Sequence, residues 1–186
     1  MFNKMRLKAA LVEYKKRFVQ IQWPDEKYKW EAIQCFQENW NINSGNFAQM
    51  LKKSLDPAGN LLASANNFPA KMIIGFAEAA PEEVRSMYME LYDESKDLCE
   101  RIANFKNKSN TLLERYTNGA AQHYQYENAI MAYLWLRYPD KYYIYKFSEV
   151  KAVSSELESD YRFKKGAYVD NIRNFMALYD EICAEL

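Results

Sequence analysis

Apolar side chains recur every three or four residues along most of this chain, which is the spacing of one face of an α-helix. The pattern is clearest near the two ends, in the stripes Leu7, Leu11, Tyr14, Phe18, Ile21 and Ile172, Phe175, Met176, Tyr179, Ile182. No linker rich in Pro, Ser or Gly divides the 186 residues. The sequence therefore predicts a mainly α fold, in which residues 1–186 form a single helical domain of about eight helices.

Local signals place several helix boundaries and one exception to the helical pattern. Residues 127–137 are apolar on almost every side, so we place them at the centre of the fold. Residues 142–145 (YYIY) have strand propensity, and the prediction allows at most a small β element there. Trp23-Pro24-Asp25 is predicted to end the first helix and start the next. Ser95 is the candidate N-cap of a long helix that Thr117-Asn118-Gly119 is predicted to end.

The sequence carries no predicted membrane or export segment. Its longest uncharged apolar run is far shorter than the ~20 residues that a membrane span needs. The N-terminus has neither a long apolar stretch nor a small-residue cleavage site. With three widely spaced Cys that resemble core residues of a reducing compartment, the expected location is cytoplasmic, without membrane contact.

The chain is rich in aromatic rings and poor in the residues of common catalytic sites. Tyr, Phe and Trp make up 16% of the sequence, against one His, three Cys and five Gly. The motifs of P-loops, dinucleotide-binding folds, serine hydrolases and zinc proteases do not occur. The sequence therefore predicts that this segment is not an enzyme and holds no cofactor or metal. His123 is interpreted as a helix-start residue or packing partner.

Basic and aromatic residues interleave after the apolar helix. In such regions cations neutralise phosphates and rings stack on bases. The candidate DNA-binding residues are Arg137, Lys141, Tyr143, Tyr145, Lys146, Lys151, Arg162, Lys164 and Lys165. If residues 142–145 are extended, Tyr143 and Tyr145 point to one side and form a stacking platform. The alternative is that the tyrosines close the edge of the core while the lysines keep the surface soluble.

Charge is unevenly distributed although the formal net charge is zero. Residues 1–22 carry six basic side chains against one acid, and residues 77–100 carry eight acids against two basic side chains. One hypothesis is that the positive end helps to orient an anionic partner. The other is that both segments are solvated helix faces.

A catalytic alternative rests on one short pattern. Pro139-Asp140 followed by Glu149-Val150-Lys151 resembles the P-D…(D/E)-x-K pattern of metal-dependent nucleases. There, two carboxylates hold Mg²⁺ and a Lys positions the attacking water. Asp140, Glu149 and Lys151 would form this site. The short spacing leaves little sheet to hold them, and the alternative is a surface turn followed by a solvated helix start.

Several longer segments resemble one protein family. These are residues 28–33 (YKWEAI), 47–55 (FAQMLKKSL), 59–64 (GNLLAS), 67–69 (NFP) and 133–153 (YLWLRYPDKYYIYKFSEVKAV). From about residue 28 to residue 186 the chain is similar to the N-terminal region of certain bacterial AAA-type NTPases. Those NTPases are related to the B subunit of modification-dependent (5-methylcytosine) restriction systems, the McrB-like proteins.

The resemblance implies a module ahead of an NTPase motor whose partner subunit cuts DNA. The implied partners are DNA, modified or not, the NTPase domain of the same chain and a nuclease subunit. Nucleotide-binding motifs are absent from these residues, so no catalytic residue is assigned by the resemblance. The leading hypothesis is a non-catalytic module that recognises DNA. The alternative is a protein-interaction or assembly module that uses an exposed Tyr/Trp patch.

Overall fold

The structure, a computed structural model, describes residues 1–63, 66–116 and 119–186. This described part is built from helices without β-strands, which confirms the mainly α prediction. The helices are α1 (Lys4–Arg17), α2 (Trp23–Glu26), α3 (Tyr28–Asn39), α4 (Phe47–Leu55), α5 (Gly59–Leu62), α6 (Pro69–Ala79), α7 (Pro81–Leu91), α8 (Leu98–Tyr116), α9 (Glu127–Arg137), α10 (Phe147–Glu156) and α11 (Tyr168–Cys183). A π-turn (Phe18–Gln22) joins α1 to α2, and a 3₁₀ turn (Asp56–Ala58) joins α4 to α5.

The core is organised around α9, as its apolar sequence predicts. Residues 129–134 and Leu136 are all buried. The helix packs against α3, α5 and α8. An all-round apolar helix has no face to present to water, so its neighbours must cover every side.

Aromatic rings fill the space between α9 and its neighbours. The buried ring of Tyr88 lies at the middle of this cluster, with centroids 5.1 Å from Trp40, 5.4 Å from Phe105 and 5.5 Å from Tyr133. All three contacts are edge-on, the arrangement that the ring quadrupole favours. Much of the aromatic excess in the sequence is therefore used for packing.

The remaining helices form a continuous series of contacts. Helix α3 packs against α4, α4 against α6 and α7, and α6 and α7 against each other and α8. Helix α11 packs against α8 and α10. Within the described residues, no helix has both the length and the apolar character needed to span a bilayer.

Helix starts follow local capping chemistry. Pro69 and Pro81 occupy the first positions of α6 and α7, where a missing N–H costs no intrahelical hydrogen bond. The predicted N-cap of α8 is wrong by two residues. Asp97 Oδ1 accepts the N–H groups of Cys99 (2.9 Å) and Glu100 (3.1 Å), whereas the Ser95 hydroxyl donates to Asp93. The predicted stop of α8 includes Thr117 and Asn118, which lie outside the described residues.

The predicted break at Trp23-Pro24-Asp25 is instead a change of helix type. The backbone stays in the right-handed helical region at Arg17, Gln22 and Lys27. Proline has no N–H, and its ring collides with the carbonyl group four residues earlier in a regular helix. A π-turn relieves this conflict: the N–H of Trp23 donates to the carbonyl of Phe18, five residues earlier. The helical path from α1 to α3 therefore continues with little interruption.

Candidate interaction surfaces

The tyrosine-rich segment is extended but is not a strand. Residues 142–146 form no ladder with another part of the described chain. Tyr142 and Tyr145 are each only 6% exposed. The Tyr145 ring packs on Phe175 of α11, with centroids 5.1 Å apart, and burial raises the pKa of Tyr145 to about 12. The prediction that Tyr145 is part of a stacking platform is therefore wrong, because its ring belongs to the core.

Tyr143 lies against the same helix. Its ring centroid is 5.4 Å from that of Tyr179, and its hydroxyl donates to Asp180 Oδ1 at 2.9 Å. Burial raises the pKa of Tyr143. Alternation of side chains requires a pleated strand held by a neighbour. Here no neighbouring strand pairs with the segment in the described chain, and Tyr142 and Tyr145, three residues apart, both face the core.

Two of the predicted phosphate-binding lysines are engaged with carboxylates. Lys141 Nζ lies 2.6 Å from Glu94, and Lys146 Nζ lies 2.9 Å from Glu149. These hydrogen bonds raise the pKa of both lysines, and the bond from Lys141 lowers the pKa of Glu94. Their charges are partly neutralised within the protein, which reduces what they offer to phosphates.

The predicted DNA-binding cations are divided among separate places and do not form one patch. Arg137 and Lys141 gather around the Tyr138 ring, 5.0 and 5.8 Å from its centroid. Lys146 and Lys165 line one hollow between α9, α10 and the start of α11. Lys151 and Arg162 line a second hollow, at the end of α10.

The lysines on α10 and in the turn after it form fewer ion pairs than Lys141 and Lys146. Lys151, Lys164 and Lys165 make no side-chain ion pair with any described residue. Arg162 is turned toward its own loop and donates to the carbonyl of Ser159 at 2.5 Å. Lys164-Lys165-Gly166 is a turn, as predicted, with Gly166 at φ +86°.

The nuclease pattern lacks the geometry that its chemistry needs. Glu149 and Lys151 lie on α10, where residues two apart point to nearly opposite sides, whereas on a strand they share a face. Glu149 pairs with Lys146, and Asp140 is exposed in the turn before the tyrosines. Among the described residues, no three His, Cys, Asp or Glu side chains are grouped to hold a metal ion.

His123 is a structural residue in this fold. It is buried, and its Nδ1 accepts the N–H of Gln125 at 2.8 Å. Burial lowers the pKa of His123. The interpretation as a packing partner is confirmed, and the alternative of a helix-start residue is wrong, because α9 begins at Glu127.

Most acids of residues 77–100 are neutralised within the fold. Six of the eight form ion pairs with basic side chains; they are Glu82, Glu83, Glu90, Asp93, Glu94 and Asp97. Most of the negative charge that the sequence places in this segment is therefore neutralised by basic side chains of the same chain.

The N-terminal helical path differs from the rest of the fold because its middle is uncovered. No residue from 8 to 31 is buried. Within the described chain, eight of the fifteen exposed large hydrophobic residues lie in the first 30 positions. We call the following side chains the N-terminal helix surface: Val12, Tyr14, Phe18, Val19, Ile21, Trp23 and Trp30.

Both ends of this path are fixed to the body of the protein. At the start, Phe2 and Leu7 are buried, and the N–H of Asn3 donates to the carbonyl of Leu157 at 2.8 Å. At the other end, Ala32 and Phe36 of α3 are buried in the core. The uncovered span is thus held between two anchors and is not a frayed terminus.

Rings form a continuous line along this surface. The centroids of Tyr14 and Phe18 are 5.5 Å apart, those of Phe18 and Trp23 are 6.0 Å apart, and those of Trp23 and Trp30 are 5.5 Å apart. Trp23 is 42% exposed and Trp30 is 49% exposed. The sequence predicted the apolar stripe but not that it stays open to solvent.

Comparisons of the chain with protein-family models, curated proteins and solved structures gave no match. The surfaces described above are therefore the basis on which a function is assigned.

Proposed function

We propose that this chain is a non-catalytic protein-interaction module, and that the N-terminal helix surface is where it contacts a partner. The observation that carries the proposal is the 24-residue span, from 8 to 31, that contains no buried residue although both its ends are anchored. Contiguous exposed apolar surface marks interaction sites, because leaving it in water has a free-energy cost. Exposed Trp and Tyr are the side chains that most often carry binding energy.

The sequence resemblance suggests the setting in which such a module works. In a restriction-type AAA NTPase, an N-terminal module of this kind would contact either the NTPase domain of the same chain or the nuclease subunit. An assembly role for partner subunits is consistent with a surface made of rings and cations rather than of catalytic groups.

Site-specific photo-crosslinking tests this proposal. The photoreactive residue p-benzoylphenylalanine replaces Val19, which is 75% exposed on the N-terminal helix surface, in the chain expressed in its native cells. The matched control places it at Met89, which is 59% exposed on α7. We expect a discrete species of higher mass from position 19 and none from position 89. Equal yields at both positions, or none at position 19, would refute the proposal.

DNA contact is the second candidate function, and one observation favours it. Lys151, Lys164 and Lys165 have no ion-pair partner among the described residues. Lys165 lines one hollow with Lys146, and Lys151 lines another with Arg162. Such lysines are available to phosphates. With Tyr145 buried and Tyr143 half-buried, we expect contacts to the DNA backbone rather than stacking on bases. Binding would then be insensitive to base sequence and methylation.

Duplex titration at two or more salt concentrations tests this candidate. The triple variant Lys151→Glu/Lys164→Glu/Lys165→Glu should weaken binding and lower the salt slope by ~0.9 for each lost phosphate contact. Lys141→Glu is the control, because Glu94 already compensates that charge, and it should change the slope little. Undetectable binding at low salt, or an equal effect of the control, would exclude this surface.

A further inference from the structure

The helical path that carries the N-terminal helix surface is basic in its first half and acidic in its second half. Its charge pattern is therefore complementary to the same pattern read in the opposite direction. Residues 4–17 contain six basic side chains and one acid, Glu13. Residues 23–39 contain four acids, Asp25, Glu26, Glu31 and Glu38, against two lysines. Residues 18–22, between the two halves, are FVQIQ and carry no charge.

Local ion pairs leave part of this charge uncompensated. Glu13 serves both Arg17 (2.8 Å) and Lys16 (3.7 Å). Lys8 and Lys15 in the basic half, and Asp25 in the acidic half, make no ion pair with any described residue. Each half therefore keeps exposed charge of one sign for a partner to neutralise.

We propose that the N-terminal helix surface pairs with the same surface of a second copy of this chain, with the two helical paths antiparallel. This inference rests on the proposed protein-interaction function and names its partner. An antiparallel pair places the basic half of each copy against the acidic half of the other. A parallel pair would instead oppose basic to basic and acidic to acidic. Twofold pairs of identical surfaces are the commonest form of protein self-assembly.

The centre of an antiparallel pair would fall on an uncharged, apolar part of the path. In an antiparallel pair the twofold axis passes near the middle of the surface, at the uncharged π-turn. Phe18 and Val19, which are adjacent on the helical turn, would meet there in both copies, and the charged halves would flank them. An interface with an apolar centre and a charged rim is typical of specific association. Because the path is anchored at both ends, little chain entropy is lost on pairing.

Sedimentation equilibrium of the 186-residue chain provides the first measurement. We expect the mass to rise with concentration from the chain mass of 22.0 kDa toward twice that value. Val19→Asp places charge at the centre of the pair and should keep the protein monomeric, and Met89→Asp on α7 should not. Far-UV circular dichroism of both variants checks that their helices are intact.

Charge exchange tests the orientation. Lys15→Glu/Lys16→Glu and Asp25→Lys/Glu26→Lys each create like charges across an antiparallel pair, so each should raise the dimer Kd roughly tenfold. Combining the four substitutions in one chain exchanges the two signs and should restore the Kd. In a parallel pair, where like charges already face each other, neither double variant would add repulsion, so neither should raise the Kd.

Three outcomes would overturn the inference. The chain could stay monomeric at every concentration, the combined variant could dimerise no better than its parents, or Met89→Asp could block dimerisation as well as Val19→Asp. Failure here is distinct from failure of the proposed function. A monomeric chain that still gives a heterologous photo-crosslink at position 19 keeps the interaction surface and loses only the second copy as its partner.

Discussion

Arg101 is a cation held inside the fold, where α7, α8 and the segment after α9 meet. It is only 4% exposed. One terminal nitrogen donates to the carbonyl of Leu91 at 2.7 Å, and the other donates to the hydroxyl of Tyr142 at 2.8 Å. A buried polar group that loses its partner costs more than the hydrogen bond is worth, because the group cannot return to water. Arg101 thus ties the buried tyrosine segment to the helical body.

Replacing Arg101 should destabilise the protein. Arg101→Met keeps most of the side-chain volume but removes the donors to Leu91 and Tyr142, and we expect a loss of about 2–3 kcal/mol in the free energy of unfolding. Urea denaturation followed by circular dichroism measures it. Arg173→Met is the control, because this arginine is exposed and its ion pair with Asp97 is 4.0 Å long, so the loss should be below ~0.5 kcal/mol. Equal losses in the two variants would contradict the structural role of Arg101.

Residue environments were predictable from the sequence where local chemistry decides them. Gly166 follows two lysines in a turn and adopts the positive φ that favours glycine. The DNA-binding set was less predictable, because ion pairing depends on distant residues. Glu94, which neutralises Lys141, is 47 positions away in the chain, and Phe175, which covers Tyr145, is 30 positions away. The sequence of residues 137–151 alone therefore does not predict these contacts.

Replacing Gly75 or Gly166 with alanine should change the free energy of unfolding in opposite directions. Gly75 is exposed within α6, and a methyl group there would meet no atom within 4 Å. Gly75→Ala should raise the free energy of unfolding by about 0.5–1 kcal/mol, because it restricts the unfolded chain and favours the helix. Gly166 has φ +86° in the turn before α11, so Gly166→Ala should lower that free energy by about 1–2 kcal/mol. Urea denaturation measures both, and shifts of the same sign would contradict the assigned backbone conformations.

Helical elements were predicted well from periodicity, yet periodicity does not report what covers an apolar face. The stripes of α1 and α11 both follow the periodicity of one helix face. On α11, Ile172 and Phe175 are buried against α8 and α10, whereas on α1 only Leu7 is buried. The pattern records that one face avoids water in some state of the protein. Whether the fold itself or a partner covers that face depends on tertiary contacts that the pattern does not encode.

The molecule as a whole therefore divides into a densely packed body and one uncovered helical span. The body is a single cluster of buried residues that includes most of α9 and the rings around Tyr88. The span from residue 8 to residue 31 contributes no buried residue to that cluster and packs against it in part through Leu11, between the buried residues Leu7 and Ala32. Local opening free energies follow buried contacts, so the two regions should differ strongly in how often their backbone hydrogen bonds break.

Amide hydrogen exchange should reveal this division and its cause. At low protein concentration, amides of α9 should exchange last and those of residues 8–26 among the first, because no residue of this span is buried and few tertiary contacts oppose its opening. At high concentration, protection should rise at residues 8–31 and stay unchanged in α9, since pairing with a second copy covers only that surface. In Val19→Asp the added protection should disappear. Protection that is strong at residues 8–26 even in dilute solution would mean that the monomer already covers this surface, and the interaction module would then lose its docking site.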